Sequence, residues 1–418
     1  MDAPSSPLRH PAFRALWIAS VFSYMGTWVQ DVAQSWLMLS LTKSPLPVAM
    51  LTTFFSIPTF LLMLPSGVLA DRYDRRRILL VAQSWAALVA TVIAIVAWTG
   101  RASPAWLLAG SAAFGVGTAL TAPAWQSLLP DLVSRKQMAE AITLNSVSFN
   151  IARATGPALG GLILAWSGPA AAFAINALSF LAVIEVLRRF PHIRRISEQP
   201  RGHAVEPVLS ATAEAFVHVW RSPRLRALMI PGTVFALAAA SVPALLAVFA
   251  ERTLHTNERG YGILVGALGV GAITGGVYAR RLRLRWSPRA MISSALIMYA
   301  VAVALASTTQ VLAVAALLLV PAGFGYVLAL STLNTLIQLS TPRWIMSRVV
   351  ALYNVLFFAC WAIGASVGGE IARRSGVPFT MLLAGVGTLA AAFITASLPL
   401  PSFDERAPDT TPMPTSVR

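Results

Sequence analysis

The chain has 418 residues, of which 56% are hydrophobic and only 11% charged, against roughly 25% charged residues in a soluble globular domain. This composition excludes an ordinary soluble protein and implies repeated apolar runs of about 20 residues, the length a helix needs to cross a hydrocarbon core near 30 Å thick. The net charge of +16 would suggest nucleic acid in a soluble chain, but here it is the usual basic balance of cytoplasmic membrane loops, so no nucleic-acid partner is expected.

Apolar runs bounded by charges, Pro or Gly predict twelve spans. The first six cover about 13–41, 45–70, 77–98, 104–128, 138–166 and 169–188. The second six cover about 225–250, 260–280, 288–308, 311–338, 346–370 and 377–398. The first run is longer than the apolar core of a cleavable leader and is expected to remain as a span. The lone Cys360 has no partner for an intramolecular disulfide.

The expected organisation is a six-helix bundle over 1–188, a cytoplasmic linker over 189–224, a second bundle over 225–398 and a polar, disordered cytoplasmic tail over 399–418. The linker carries Pro191, Pro200, Pro207 and Pro223. Its segment 207–220 predicts a short amphipathic helix on the membrane surface, anchored by Trp220 and flanking arginines. With the amino terminus cytoplasmic, 25 lysines and arginines fall on the inner side and six on the outer. That imbalance predicts both termini inside.

An offset of 208 residues aligns 114–161 with 322–369 without a gap. Gly115, Gly117, Gly156, Gly160 and Gly161 fall on Gly323, Gly325, Gly364, Gly368 and Gly369. A similar match sets Arg14, Ala15 and Leu16 against Arg226, Ala227 and Leu228. A repeat of six spans preserves orientation, so the halves are parallel repeats with the substrate region expected between them near the membrane midplane.

The loop between spans two and three runs from Gly67 through Asp71, Arg72, Tyr73 and Asp74 to Arg75, Arg76 and Arg77. It resembles the Gly-x-x-x-Asp-Arg-x-Gly-Arg-Arg signature of the major facilitator superfamily, with Asp74 where the family prefers Gly. The resemblance implies an all-α membrane protein of twelve transmembrane helices in two six-helix bundles, and a loop acting as a conformational latch. Asp71 suits the positive end of a helix from the other half, and the arginines suit carboxylates or lipid phosphates. The plain alternative is that the arginines only fix topology.

In span five, Gly156, Pro157, Gly160 and Gly161 are similar to the Gly-Pro-x-x-Gly-Gly core seen in major facilitator exporters. Such residues allow close helix approach and a bend, or serve ordinary small-residue packing. In the second half Ala365 replaces the Pro, so that half is expected to act mainly as a partner surface. With Trp28, Gln30 and Trp36, the chain looks most like the branch containing the enterobactin exporter and related drug and macrolide exporters.

Asp31 in span one and Arg153 in span five are the ionisable residues lying well inside spans, where a charge is costly unless paired or facing water. Neither is repeated: Arg153 aligns with Trp361 and Asp31 with Pro243. They are candidates for a proton-coupling ion pair, the alternative being a permanent pair that holds two helices together. The family resemblance places the first and fourth helices of each half on the cavity, which nominates Gln34, Gln126, Asn334 and Gln338 as substrate contacts. Trp28 joins them as a contact for a bulky ligand.

The sequence lacks a Gly-x-x-x-x-Gly-Lys-Ser/Thr loop and a His-Glu-x-x-His motif. No catalysis, cofactor or metal is expected. The expected function is export of a small molecule, drug-like or siderophore, by proton antiport with alternating access in a bacterial inner membrane. The expected partners are the substrate, protons and lipid, and the protein is expected to be a monomer. Symport or uniport uptake of a metabolite is the alternative on the same architecture.

Overall fold

The computed structural model describes residues 6–134, 137–190, 208–342 and 345–403. Among the described residues the regular elements are helical: a 3-10 turn Pro7–Arg9 followed by thirteen α-helices. These are α1 (Pro11–Thr42), α2 (Pro45–Arg72), α3 (Arg75–Trp98), α4 (Pro104–Leu132), α5 (Met138–Arg189), α6 (Val208–Arg221) and α7 (Pro223–Ala239). They continue with α8 (Ser241–Arg252), α9 (Glu258–Arg283), α10 (Pro288–Thr308), α11 (Leu312–Leu339), α12 (Met346–Ser375) and α13 (Val377–Ser397).

Among the described residues, ten helical stretches are long and apolar enough to cross a bilayer. One of them, Val147–Arg189, has 43 residues, about twice what a single crossing requires. It belongs to α5, which breaks at Gly168, where φ is 73°. A side chain rarely adopts that backbone, and Pro169 then restarts the helix with a preset φ. Helix α1 is 32 residues long but diluted by Gln30, Asp31 and Gln34, and it completes twelve crossings. Helices α7 and α8 form one crossing, interrupted at Ala240.

Local sequence explains where the helices begin. Ser103, Ser222 and Ser287 each cap a helix whose first residue is proline, their hydroxyls accepting from the backbone N–H of Trp106, Leu225 and Ala290. The serine satisfies an orphan donor and the proline supplies a helical φ at a site where its missing N–H costs nothing. Apolar side chains such as Leu178, Leu317 and Phe393 remain exposed on the outside, as lipid-facing positions must.

Packing repeats along with the sequence. In the first half α1 packs on α5, α2 on α4, and α3 on α4 and α5. In the second, α7 packs on α12, α9 on α11, and α10 on α11 and α13. The repeated glycines sit at these crossings: a methyl at Gly115 would collide with the Phe55 carbonyl, and one at Gly323 with that of Leu268. The turn glycines repeat too, since Gly168 and Gly376 (φ 89°) stand one repeat apart. The internal repeat thus records shared backbone contacts between helices.

The halves meet along two symmetry-related seams, α2 with α12 and α5 with α9. Gly369 abuts Leu46 and Ala49, and Gly161 abuts Gly262 and the Glu258 carbonyl. Thr53 Oγ1 donates to the Ala362 carbonyl at 3.0 Å and lies 2.7 Å from Ser366 Oγ. The Trp36 ring stacks on Tyr261 with centroids 6.2 Å apart, and Arg252 donates to the Lys43 carbonyl. These contacts lie between the middle of the bundle and the end opposite the chain termini. That end is closed.

Helix α6 carries the expected amphipathic segment. Ala215 and Val219 are buried, while Phe216 and Trp220 are exposed and stack on each other at 6.0 Å. Arg226 places its guanidinium 5.9 Å from the Trp220 ring centre. The rest of the linker (191–207) and most of the tail (404–418) lie outside the described residues.

Candidate functional site

Helical periodicity divides the polar residues of α1 between two faces. Gln30 and Gln34, four apart, share one face, while Trp28, Asp31 and Ser35 share another. The glutamine face turns into the first half. Gln30 Oε1 accepts from Asn176 Nδ2 at 2.7 Å, and Gln34 Nε2 donates to the Leu107 carbonyl at 3.0 Å and Ser111 Oγ at 2.6 Å. Gln34, expected at the cavity wall, is therefore a buried tie between α1 and α4 in this conformation. Its amide is spent on the neighbouring helix.

On the other face Trp28 packs on α5 against Gly156, while Asp31 and Ser35 meet the second half. Tyr261 of α9 lies beside Ser35 and Asp31 and carries the stack with Trp36. The Asp31 carboxylate is exposed and makes no ion pair among the described residues. The contemplated pair with Arg153 is absent in this conformation, because the arginine points into the seam between the halves.

Arg153 sits at the middle of the first limb of α5, half-buried. Its guanidinium carbon is 5.9 Å from the Trp28 ring centre and 4.9 Å from that of Tyr326 on α11. A cation over an aromatic face is attracted to the ring quadrupole, most strongly where water is excluded. Tyr326 opens an aromatic cluster: Trp361 at 6.1 Å, Phe235 at 5.7 Å and Tyr299 at 6.3 Å. Phe357 stacks on Trp361 at 5.4 Å and packs at 6.3 Å from Tyr353. Arg153 and Trp361, equivalent in the repeat, thus converge on one ring.

Tyr326 and Tyr261 were not singled out from the sequence. Both lie in the half expected to be mainly a partner surface, and neither breaks a hydrophobic pattern. The usable signal was the alignment of Trp361 with Arg153.

The remaining nominated residues are distributed differently. Asn334 is half-buried and Gln338 exposed, toward the termini-bearing end of α11, and neither hydrogen-bonds through its side chain to another described residue. Gln126 lies on α4, but its side chain is outside the described residues. Gly156 packs on Trp28 and the Met25 carbonyl, and Gly160 on Val29. Pro157 lies inside α5, whose non-helical residue is Gly168. The glycines of this motif therefore bind two neighbours at once, α1 through Gly156 and Gly160, and α9 through Gly161.

In the loop expected to act as a latch, Gly67, Asp71 and Arg72 fall on the last turns of α2, and the side chains of Asp71 and Arg72 are outside the described residues. Asp74 is the N-cap of α3, its carboxylate accepting from the backbone N–H of Arg76 at 2.9 Å and Arg77 at 3.3 Å. Its φ of −61° needs no glycine, which explains the departure from the signature. Arg75 Nη1 pairs with Asp131 Oδ2 at 3.2 Å, and Arg76 Nε donates to the Leu187 carbonyl at 2.6 Å. Arg77 is exposed. Asp131, at the end of α4, is an acid that the sequence did not flag.

The family model described as a transmembrane secretion effector matches residues 2–416. The multidrug efflux pump Tap of Mycolicibacterium fortuitum is 25% identical over 91% of this chain and 94% of its own length. The enterobactin exporter EntS of Citrobacter koseri is 25% identical over 87% of this chain and 85% of its own. A bacterial homologue of the human lysosomal transporter Spinster, solved inward-facing and unoccupied, superposes with a TM-score of 0.74 at 18% identity, covering 94% of this chain and 97% of that one. The twelve crossings, the parallel repeat and this whole-length match together establish that the chain belongs to the transmembrane secretion effector family of major facilitator transporters.

Proposed function

We propose that the protein exports a small organic molecule from the cytoplasm by proton antiport, alternating access between two sides of a bacterial inner membrane. The supporting observation is the mid-membrane seam. Asp31, exposed and without an ion pair among the described residues, and a cation held by both halves, Arg153, lie on neighbouring helices, and the halves are closed at one end by glycine contacts, the Trp36–Tyr261 stack and a few polar contacts. The family likeness, the efflux and export named for Tap and EntS, and the Gly156–Gly161 motif favour export. Nothing in the seam favours uptake.

On this reading the excess of basic residues on the loops near the termini makes that end cytoplasmic, and the end closed here is the outer one. Rocking the halves to open the other end has to part Trp36 from Tyr261 and Thr53 from Ser366, and to move Tyr326 away from Arg153. Asp31 exchanges the proton: its charge faces Tyr261 across the seam, and Arg153 becomes free to approach it once Tyr326 has withdrawn. Proton occupancy then biases the equilibrium between the two arrangements.

Everted membrane vesicles carrying a pH gradient test this. Uptake of a candidate compound with accompanying proton release is the expected result. Asp31→Asn is expected to insert normally and to lose proton-driven transport. Undiminished proton-driven transport by that variant removes Asp31 from coupling, and movement in the opposite direction refutes export.

A further inference from the structure

Arg153 has no carboxylate partner among the described residues, although it lies at mid-membrane depth, where an uncompensated arginine is costly. The two ring contacts offset only part of that cost. Arg153 also hydrogen-bonds the Tyr326 side chain, which leaves the rest of its edge, the fork of N–H donors that matches a carboxylate. Asp31 does not fill that edge, and the seam offers aromatic surface around it. Trp28, Tyr326, Phe357 and Trp361 are each half-buried, so each keeps ring area uncovered close to Arg153 or to the ring it contacts. Behind them Phe235, Tyr299 and Tyr353 are fully packed and hold the front rings in place.

From this arrangement we infer that the seam recognises an organic anion carrying a planar aromatic group, its negative group on the edge of Arg153 and its ring against Tyr326 and Trp361. The substrate supplies the counter-charge that the described residues omit. Uncharged molecules leave the cation uncompensated, and aromatic cations meet it head-on, so the site discriminates by sign before shape. The asymmetry of the repeat has the same reading: one half contributes the charge, and its equivalent position in the other half, Trp361, contributes the stacking plane.

The inference deepens the export reading but is tested by binding alone. Purified full-length protein in detergent is dialysed to equilibrium against labelled 2-naphthoate, cyclohexanecarboxylate or tetraphenylphosphonium. The wild type is expected to bind 2-naphthoate most tightly. Arg153→Gln is expected to weaken 2-naphthoate binding at least tenfold, Arg153→Lys by less, and Trp361→Ala to erase the preference for 2-naphthoate over cyclohexanecarboxylate. Arg153→Gln should bind tetraphenylphosphonium as well as or better than the wild type does. Equal 2-naphthoate binding by wild type and Arg153→Gln overturns the inference, as does no binding of 2-naphthoate by the wild type or a wild-type preference for tetraphenylphosphonium. If Arg153→Gln fails to fold, Arg153→Lys and Trp361→Ala decide the question by the same criteria. A protein that binds 2-naphthoate yet fails the vesicle assay fails only the export reading.

Discussion

The guanidinium carbon of Arg153 lies 4.9 Å from the centre of the Tyr326 ring, across the boundary between the two halves. The contact belongs to neither bundle alone, so it acts on the equilibrium between their arrangements. Tyr326→Leu removes about 0.5–2 kcal/mol from the conformation seen here, which corresponds to a shift of about two- to thirtyfold in the population open at the other end. In a Cys360→Ser background with Ser44→Cys as reporter, the maleimide labelling rate should rise by that factor. Tyr326→Phe keeps the ring and should stay near the parent rate.

The closed end depends on the absence of side chains at two equivalent places. A Cβ at Gly161 would stand 2.9 Å from the Gly262 Cα and 3.0 Å from the Glu258 carbonyl oxygen, and one at Gly369 would stand 2.6 Å from the Ala49 Cβ. Neither backbone can retreat without moving its whole helix. Gly161→Leu and Gly369→Leu should therefore wedge the halves apart and raise labelling at position 44 well beyond the effect of Tyr326→Leu. Gly276→Ala, where the nearest atom is 3.9 Å away, should leave labelling unchanged.

Inside the first half, the Arg75–Asp131 pair joins α3 to α4 with side chains 19% and 6% exposed. Removing one partner of a buried pair costs about 3–5 kcal/mol, and the partial exposure of Arg75 brings the expectation down to about 2 kcal/mol. Asp131→Asn should lower the melting temperature of purified protein, Arg75→Met should do the same, and the double variant should recover part of the loss. Strictly additive losses show that the two side chains do not act as a pair.

Much of this architecture was legible in the residues because the bilayer imposes a length and loop charge imposes a side. Span bounds read from apolar runs fall within a few residues of the observed helices, and even the Gly168 break carried its own Gly-Pro marker. The site was less legible. Asp31 and Arg153 stood out because charge within a span is costly, but the helix face on which each lies decides its partner. Gln34 and Asp31 are three residues apart and face different neighbours. Tyr326 was invisible for another reason: an aromatic residue in an apolar run looks the same whether it packs or binds a cation.

Asp74 offers a local test of why this chain departs from the family signature. Its carboxylate satisfies two backbone N–H groups at the start of α3, a role glycine fills by leaving those donors to water. Loss of an N-cap side chain to alanine costs about 1 kcal/mol, and replacement by glycine only a few tenths. Thermal melting should rank Asp74→Asn close to wild type, Asp74→Gly slightly lower and Asp74→Ala lowest.

Gln34 separates a structural role from a substrate role. Its two donated bonds, to Leu107 and Ser111, are buried, so Gln34→Leu removes both ties between α1 and α4 at a cost of about 1–3 kcal/mol. The expected phenotype is a lower melting temperature with the order of preference among transported compounds preserved, because the residue faces α4 and not the seam. Asp31→Asn should show the opposite pattern, since its exposed carboxylate holds no helix in place: melting close to the parent and proton-driven transport lost. A Gln34→Leu variant that melts like the parent but reorders substrate preference would place this side chain on the transport route in another conformation.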